Sequence, residues 1–530
     1  MKEAFNVMDH KKKKYIAVDR ISELPDPLLQ EILSFLPTKQ IVQSTILSKR
    51  WKHITTSIPV LESYTFNWDI ESGYFNFLEK TLRSLSVKKF TLIDGMDIPK
   101  SVSRLDSWIS FAVKSDVEEL NLTFVRGWDR RYQLPQSVFL AKSLTVLTLN
   151  WCNLHLTCGD ININLPSLRK LSVYEVYTDD QTIHKLVAGC PVIQEMRFQR
   201  CRELKNIKFE GLTKAKSIEV AYNDDLERIE LEASNLYSLY INQEGKNCEI
   251  NLVSCNNVKM LTLRVFNITD EWFHDYFSQL PLIEYLNLHA CRMLERIRIS
   301  SHSLKTLYLM DCYSYKLVEV NIDTPNLRKF EYYSPTVIPF FSNALALSEA
   351  TYRILKRNAP WNVKKIEFFA KLNNSKLLTL KCHSVKNMVI PRNLRETLPS
   401  PSYNVKQLKL QTEILSTGIE IAELVDSLLW ISPLPEILLI VHSINREPWM
   451  DTISFKFSYE TPILKGEKPS CCKFLPVPCW RHCLKSVMIE NFRVSTNIGT
   501  LKAAEASLEK YFRENAEILE TFQFLPSDIV

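Results

Sequence analysis

The most concentrated chemistry in the chain lies near its C-terminal end, where Cys471, Cys472, Cys479, His482 and Cys483 fall within a short stretch. Thiolates and imidazoles are the usual ligands of zinc, and a structural site takes four of them. The stretch has no Cys-x-x-Cys pair, however, and clean structural sites show two paired ligand sets. Spacing alone therefore reads the group as reduced cysteines at a domain junction, and no metal or other cofactor is expected. The remaining histidines, from His10 onward, are scattered, with no Cys/His or Ser/His grouping that would raise a nucleophile. There is no GxGxxG, no lysine-bearing phosphate loop, no GxSxG and no HExxH, so the chain is read as non-catalytic. Arg126, Trp128, Arg130 and Arg131 make a basic-aromatic patch that could read an acidic ligand, although a solvated loop is the plainer account.

With catalysis set aside, the elements must serve binding. Asp19 to Ile54 reads as three short helices with explicit punctuation. Asp26 can cap the first, with Pro27 in the first turn, where its missing N–H costs nothing. Leu28, Leu29, Ile32, Leu33 and Leu36 share a stripe before Pro37 stops the helix. Thr38 can cap a second helix, carrying Ile41, Val42, Thr45 and Ile46. Ser48 can cap a third, holding Trp51 and Ile54 before Pro59. Fewer than fifty residues cannot bury this many apolar side chains internally. Some must face a partner.

At these residues the chain resembles the F-box. The marks are Leu24-Pro25-Asp26, Ile32-Leu33, Phe35-Leu36-Pro37, Val42 and Leu47-Ser48-Lys49-Arg50-Trp51, in the order and spacing the family shows. The resemblance implies docking onto a Skp-type adaptor and, through it, a cullin–RING ubiquitin ligase. It implies that Leu24, Pro25, Ile32, Leu33, Leu36, Pro37, Val42 and Trp51 are the adaptor-binding or motif-core set. Which of them face outward is not decided by sequence.

The middle of the chain repeats. Segments such as Val117 to Leu122, Leu144 to Leu149, Leu168 to Val173, Val258 to Leu263, Ile283 to Leu288 and Leu304 to Leu309 recur about every 21 to 27 residues, the period of leucine-rich repeats. Alternation within each unit predicts a short strand whose inward side chains stack on those of its neighbours. Three residues after the last apolar strand position stand Cys152, Cys201, Asn223, Cys291 and Cys312, the turn position of such a repeat, where a small side chain satisfies backbone groups. Thr178 to Ala188 and Asp270 to Leu280 read as helix-like connections. The fold class expected is α/β: a three-helix F-box, then a curved solenoid with parallel strands on the concave face, then a strand–helix cap.

The expected organisation is a basic disordered tail over 1–18, the F-box over 19–60, the repeats over 61–450 and a cap over 470–530. Within the repeats, 335–403 reads as irregular, with a helix-like stretch from Asn343 to Asn358 and a proline-bearing loop from Pro391 to Pro401. Glu436 to Val441 reads as a last repeat strand. In the cap, Leu484 to Ile489 reads as a strand and Thr500 to Leu519 as a helix with Leu508, Phe512, Ala516 and Leu519 on one face. This proline-led strand and helix resemble the FBD module that follows F-box and leucine-rich repeats in many plant proteins.

The chain has 530 residues, 45% apolar and 24% charged, and a net charge of +6, which calls for neither nucleic acid nor an anionic membrane. Ten glycines disfavour phosphate-cradling loops. A polar, lysine-rich start and the lack of a long apolar run point to an intracellular protein of the cytoplasm or nucleus, with its thirteen cysteines reduced. His10 to Lys14 could serve nuclear import. The function expected is substrate recognition for an SCF-type ligase, with an unidentified target protein on the repeats. A non-ligase scaffold, a small-molecule co-receptor and a nucleic-acid binder are the alternatives.

Overall fold

The computed structural model describes residues 21, 23–44, 46–56, 60–65, 87–94, 98–124, 131–155, 162–243, 247–312, 317–333, 340–354, 361–415, 421–443, 450–460, 469–472, 475, 478–492 and 498–525. The tail, the His10 to Lys14 run, and Arg126, Trp128 and Arg130 lie outside them. The chain divides into two compact units: one runs to Tyr177 and includes Lys185–Val192, and the other takes Thr178–His184 and continues from Ile193.

The first unit begins with three helices, α1 (Asp26–Ser34), α2 (Thr38–Ser44) and α3 (Lys49–Thr56). Capping partly follows the punctuation. The Ser48 hydroxyl accepts from the Trp51 N–H at 3.2 Å, as the third cap should. At α1 the cap residue is Pro25, without a side-chain hydrogen bond, and the Asp26 carboxylate turns to Arg50 instead. An ion pair to α3 has replaced a local cap.

Beyond α3 the first unit is a parallel ladder. Val60–Thr65 pairs with Lys89–Asp94, which pairs with Glu119–Phe124, then Val146–Asn150, then Lys170–Tyr174. The register stacks Leu120, Leu147 and Leu171 in one column and Leu122, Leu149 and Val173 in another, all buried. The recurring leucines are therefore the inward half of each strand.

The second unit carries a longer ladder of the same kind. Glu195–Gln199, Ser217–Ala221, Ser238–Gln243, Met260–Val265, Tyr285–His289, Thr306–Met310 and Lys329–Tyr333 pair in parallel, one after another. The predicted connecting helices are present as Asp180–Ala188 and Asp270–Ser278, the second joining the paired strands Met260–Val265 and Tyr285–His289. Elsewhere the return path is itself a strand, giving two further three-stranded parallel sheets: Asn206–Phe209, Arg228–Glu232 and Glu249–Val253, and Arg296–Ser300, Glu319–Asp323 and Phe340–Ser342. That second face was not foreseen.

Further departures lie towards the end, where the stretch read as irregular carries the helix Val363–Lys371 and the proline-bearing loop holds a short helix, Arg392–Thr397. The helix expected from Asn343 to Asn358 is instead a strand, Glu349–Ile354, which continues the ladder beside Lys329–Tyr333 and is followed by Leu377–Ser384, Gln407–Ile414 and Ile437–Ser443. Ile437–Ser443 is the last parallel strand of the ladder, as read from Glu436 to Val441, but the sheet continues beyond it. Met450–Tyr459 turns back antiparallel against it, Leu484–Glu490 is antiparallel to Met450–Tyr459, and Thr521–Leu525 closes parallel to Leu484–Glu490. The C-terminal helix is Ile498–Asn515, shorter at its end than expected: Leu508 and Phe512 are buried on it, while Ala516, also buried, and the half-buried Leu519 lie beyond it.

Candidate functional site

The helices of the N-terminal block sort their apolar residues sharply. Leu29, Leu33, Ile41, Trp51 and Ile54 form an internal cluster, with Leu24 half-buried against it. Leu33 is 1% exposed and Trp51 7%, so both hold the block together and are not on offer to a partner. Ile32 and Leu36 remain exposed, as do Pro25 and Pro37. Val42 lies on α2, and its side chain falls outside the described residues. Five further large apolar residues are exposed: Ile21, Leu28, Phe35 at 81%, Ile46 at 84% and Leu47. The F-box resemblance does not carry these five into the binding set, although Leu28 shares the α1 stripe and Phe35 and Leu47 stand within the motif itself.

Packing explains the outward crowd. Three helices of nine, seven and eight residues enclose one small cluster and have no interior left for a second. Arg50 fixes the entry to α1, donating to Asp26 Oδ1 and to the Leu24 carbonyl at 2.6 Å each. The pair is about half exposed, which limits it to under ~1 kcal/mol, so its effect is geometric.

The repeat turn residues are buried and structural. Asn223 accepts from the Cys201 N–H at 2.8 Å and donates to the Phe198 carbonyl at 3.0 Å, tying two repeats together. Cys291 and Cys312 donate their thiols to the carbonyls of Leu263 and Leu288 in the preceding repeats. Cys152 is likewise buried. The residue just before each of these five, Trp151, Arg200, Tyr222, Ala290 and Asp311, has a positive φ between 52° and 63°. Burial pushes the Cys190 and Cys248 thiols up to about 12, so neither ionises at neutral pH.

On the second unit's ladder the outward positions are polar and aromatic. Tyr285 and Tyr308 lie 5.5 Å apart on adjacent strands, and the Arg353 guanidinium sits 5.3 Å from the Tyr333 ring. Lys381 donates to Glu331 at 2.9 Å, the least exposed Lys–Glu pair among the described residues. Hydrogen bonds from Lys305 and Lys259 hold the Glu284 carboxyl below its usual range. In the first unit, Arg131 stacks 4.3 Å over Tyr177 and donates to the Glu175 carbonyl, so it is committed to packing.

The C-terminal cysteines do not stay apart. One ligand atom from each of Cys471, Cys472, Cys479 and His482 lies within 4.8 Å of the others, which spacing did not anticipate. Cys483 points away and donates to the Cys479 carbonyl at 3.2 Å.

An apolar-faced three-helix block followed by parallel leucine-rich repeats defines a class of binding protein. Residues 21–63 match the F-box domain. Residues 80–264 and 246–359, together more than half of the chain, match the family described as At1g61320/AtMIF1, LRR domain. The chain belongs to the F-box/LRR-repeat family. Among its relatives in Arabidopsis thaliana are the F-box/LRR-repeat protein At3g03360, 26% identical over 56% of this chain and 62% of its own length, and the putative F-box/LRR-repeat protein At3g18150, 27% identical over 57% and 61%. The F-box/FBD/LRR-repeat protein At5g22660 is 28% identical over 54% of this chain and 66% of its own length. The chain thus spans about three-fifths of the first two relatives. No helix among the described residues is long and apolar enough to cross a membrane.

Proposed function

We propose that the chain is the substrate-recognition subunit of an SCF-type ubiquitin ligase, docking a Skp-type adaptor through α1–α3 and holding a target protein on its repeats. The observation that carries this reading is that, among the described residues, seven large apolar side chains are left exposed across Ile21 to Leu47, beside a packed internal cluster. A solvated cap has no use for such a surface, whereas a protein interface buries it and draws most of its affinity from a few anchors. Through the adaptor the chain joins a cullin. Its second unit presents a target through the outward row that includes Tyr285, Tyr308 and Arg353. Tyrosine and arginine are the residues that interfaces favour.

The mechanism is tethering. Holding the target near a charged conjugating enzyme raises its effective concentration, and this chain supplies no reacting group. The C-terminal strand and helix, Leu484–Glu490 and Ile498–Asn515, serve as an FBD-like cap closing the ladder, and the protein acts in the cytoplasm or nucleus. The test is co-purification of the full chain with a Skp-type adaptor and a cullin. Entry into a three-component complex supports the reading. Failure to bind the adaptor while the chain is folded overturns it, and adaptor binding without cullin leaves a non-ligase scaffold.

A further inference from the structure

We propose that Cys471, Cys472, Cys479 and His482 form a structural zinc site. The first two belong to a short 3-10 turn, Ser470–Cys472, while Cys479 is the cap residue of the helical turn Trp480–Cys483 and His482 lies within it. Two separate pieces of chain thus converge on one point. A tetrahedral zinc with Zn–S bonds of about 2.3 Å sets its sulfurs about 3.8 Å apart, and sulfur to nitrogen about 3.5 Å. Cys471 Sγ lies 3.7 Å from Cys472 Sγ and 3.8 Å from Cys479 Sγ. His482 Nε2 is 3.0 Å from Cys471 Sγ, so about half an ångström of adjustment completes the edge.

The histidine supplies the independent observation. Its Nδ1 lies 2.8 Å from Glu517 Oε1, so with Nδ1–H donating to the carboxylate Nε2 faces the sulfurs as an acceptor, 3.0 Å from Cys471 Sγ. A histidine serving only packing has no need of that tautomer; a carboxylate-held histidine with its other nitrogen facing thiols is the arrangement metal ligands use. The Cys479 N–H donates to Cys472 Sγ at 3.1 Å, the kind of contact that steadies a thiolate. Cys472, Cys479 and His482 are buried, while Cys471 opens on a cleft of about 800 Å³ bordered by Arg395, Trp430 and Arg481, which provides an entry path. Four neutral ligand groups bunched in this way gain nothing from one another comparable to what a divalent cation would give all four. The site would staple the segment after Met450–Tyr459 to the helical turn that leads into Leu484–Glu490, where the chain reverses out of the parallel ladder.

The experiment is zinc analysis of the full chain, purified reduced and without chelator, beside Cys479→Ser, Cys483→Ser and Glu517→Ala. About one zinc per chain is expected in the wild type and in Cys483→Ser, with near-total loss in Cys479→Ser. Cobalt replacement should give the intense visible bands of a tetrahedral thiolate site. Glu517 is exposed, so Glu517→Ala should fold normally and bind zinc about tenfold more weakly in chelator competition. A folded wild-type chain without bound metal overturns the proposal, as does a disulfide among these cysteines or weak octahedral cobalt bands. Unchanged zinc affinity in Glu517→Ala removes its second observation and overturns the His482 assignment. None of these outcomes bears on adaptor binding.

Discussion

Leu33 and Phe35 stand two positions apart at the end of α1 and meet opposite surroundings. Leu33 is enclosed by Leu29, Ile41, Trp51 and Ile54, whereas Phe35 projects almost entirely into solvent. Truncating them should therefore separate folding from binding. Leu33→Ala leaves a cavity that short helices cannot collapse around, and is expected to cost about 2–5 kcal/mol of stability, read as a lower denaturant midpoint for the helical block. Phe35→Ala is expected to leave that midpoint within ~0.5 kcal/mol while weakening adaptor binding. Equal destabilisation by both would mean that Phe35 is packed rather than presented. The same contrast applies to Trp51 and Ile32, which the F-box resemblance puts in one set and burial puts on opposite sides.

At the scale of elements, the ladder strands were legible because each inward leucine must stack on the next repeat, which enforces the spacing. Glu349–Ile354 was misread as helix because Asn343 to Asn358 is rich in good helix formers; pairing with Lys329–Tyr333 overrides that propensity, and Ala350, Tyr352 and Ile354 take the inward positions. The strand Met450–Tyr459 carried an overlooked signal in the alternation of Ile453, Phe455 and Phe457, all buried. The short return strands had only a few residues each in which to show a period. The cysteine cluster was legible in membership but not in geometry: Cys471, Cys472, Cys479 and His482 stand out within one short stretch, but no Cys-x-x-Cys spacing records that folding brings them together. The turns hold a further consequence. With ten glycines in the chain, left-handed positions are filled by ordinary residues, and Ser254, exposed at a φ of 54°, is one of them. Ser254→Gly removes a Cβ clash of about 1 kcal/mol or more and concedes part of that as chain entropy. The thermal midpoint should rise by the equivalent of about 0.5 kcal/mol; a fall would show that the serine side chain contributes something its exposure does not suggest.

At the scale of the whole molecule, two kinds of surface differ in their chemistry. The helical block offers apolar side chains, while the outward row on the second unit mixes tyrosines with paired charges such as Glu331–Lys381. Apolar docking is insensitive to screening. Adaptor affinity should accordingly change less than about threefold when salt is raised tenfold. A steep decline would instead point to charge as the driving term, and for a nucleic-acid partner it would follow the number of phosphates neutralised. Calorimetric titration of a Skp-type adaptor would show whether the exposed apolar face of α1–α3 binds it. The wild-type chain would be set beside an Ile32→Ala/Phe35→Ala/Leu47→Ala variant whose thermal midpoint matches wild type. Tight wild-type binding and a loss of at least tenfold in the variant are expected, since one true anchor is worth about 1–4 kcal/mol. Undiminished affinity in the folded variant would contradict this expectation.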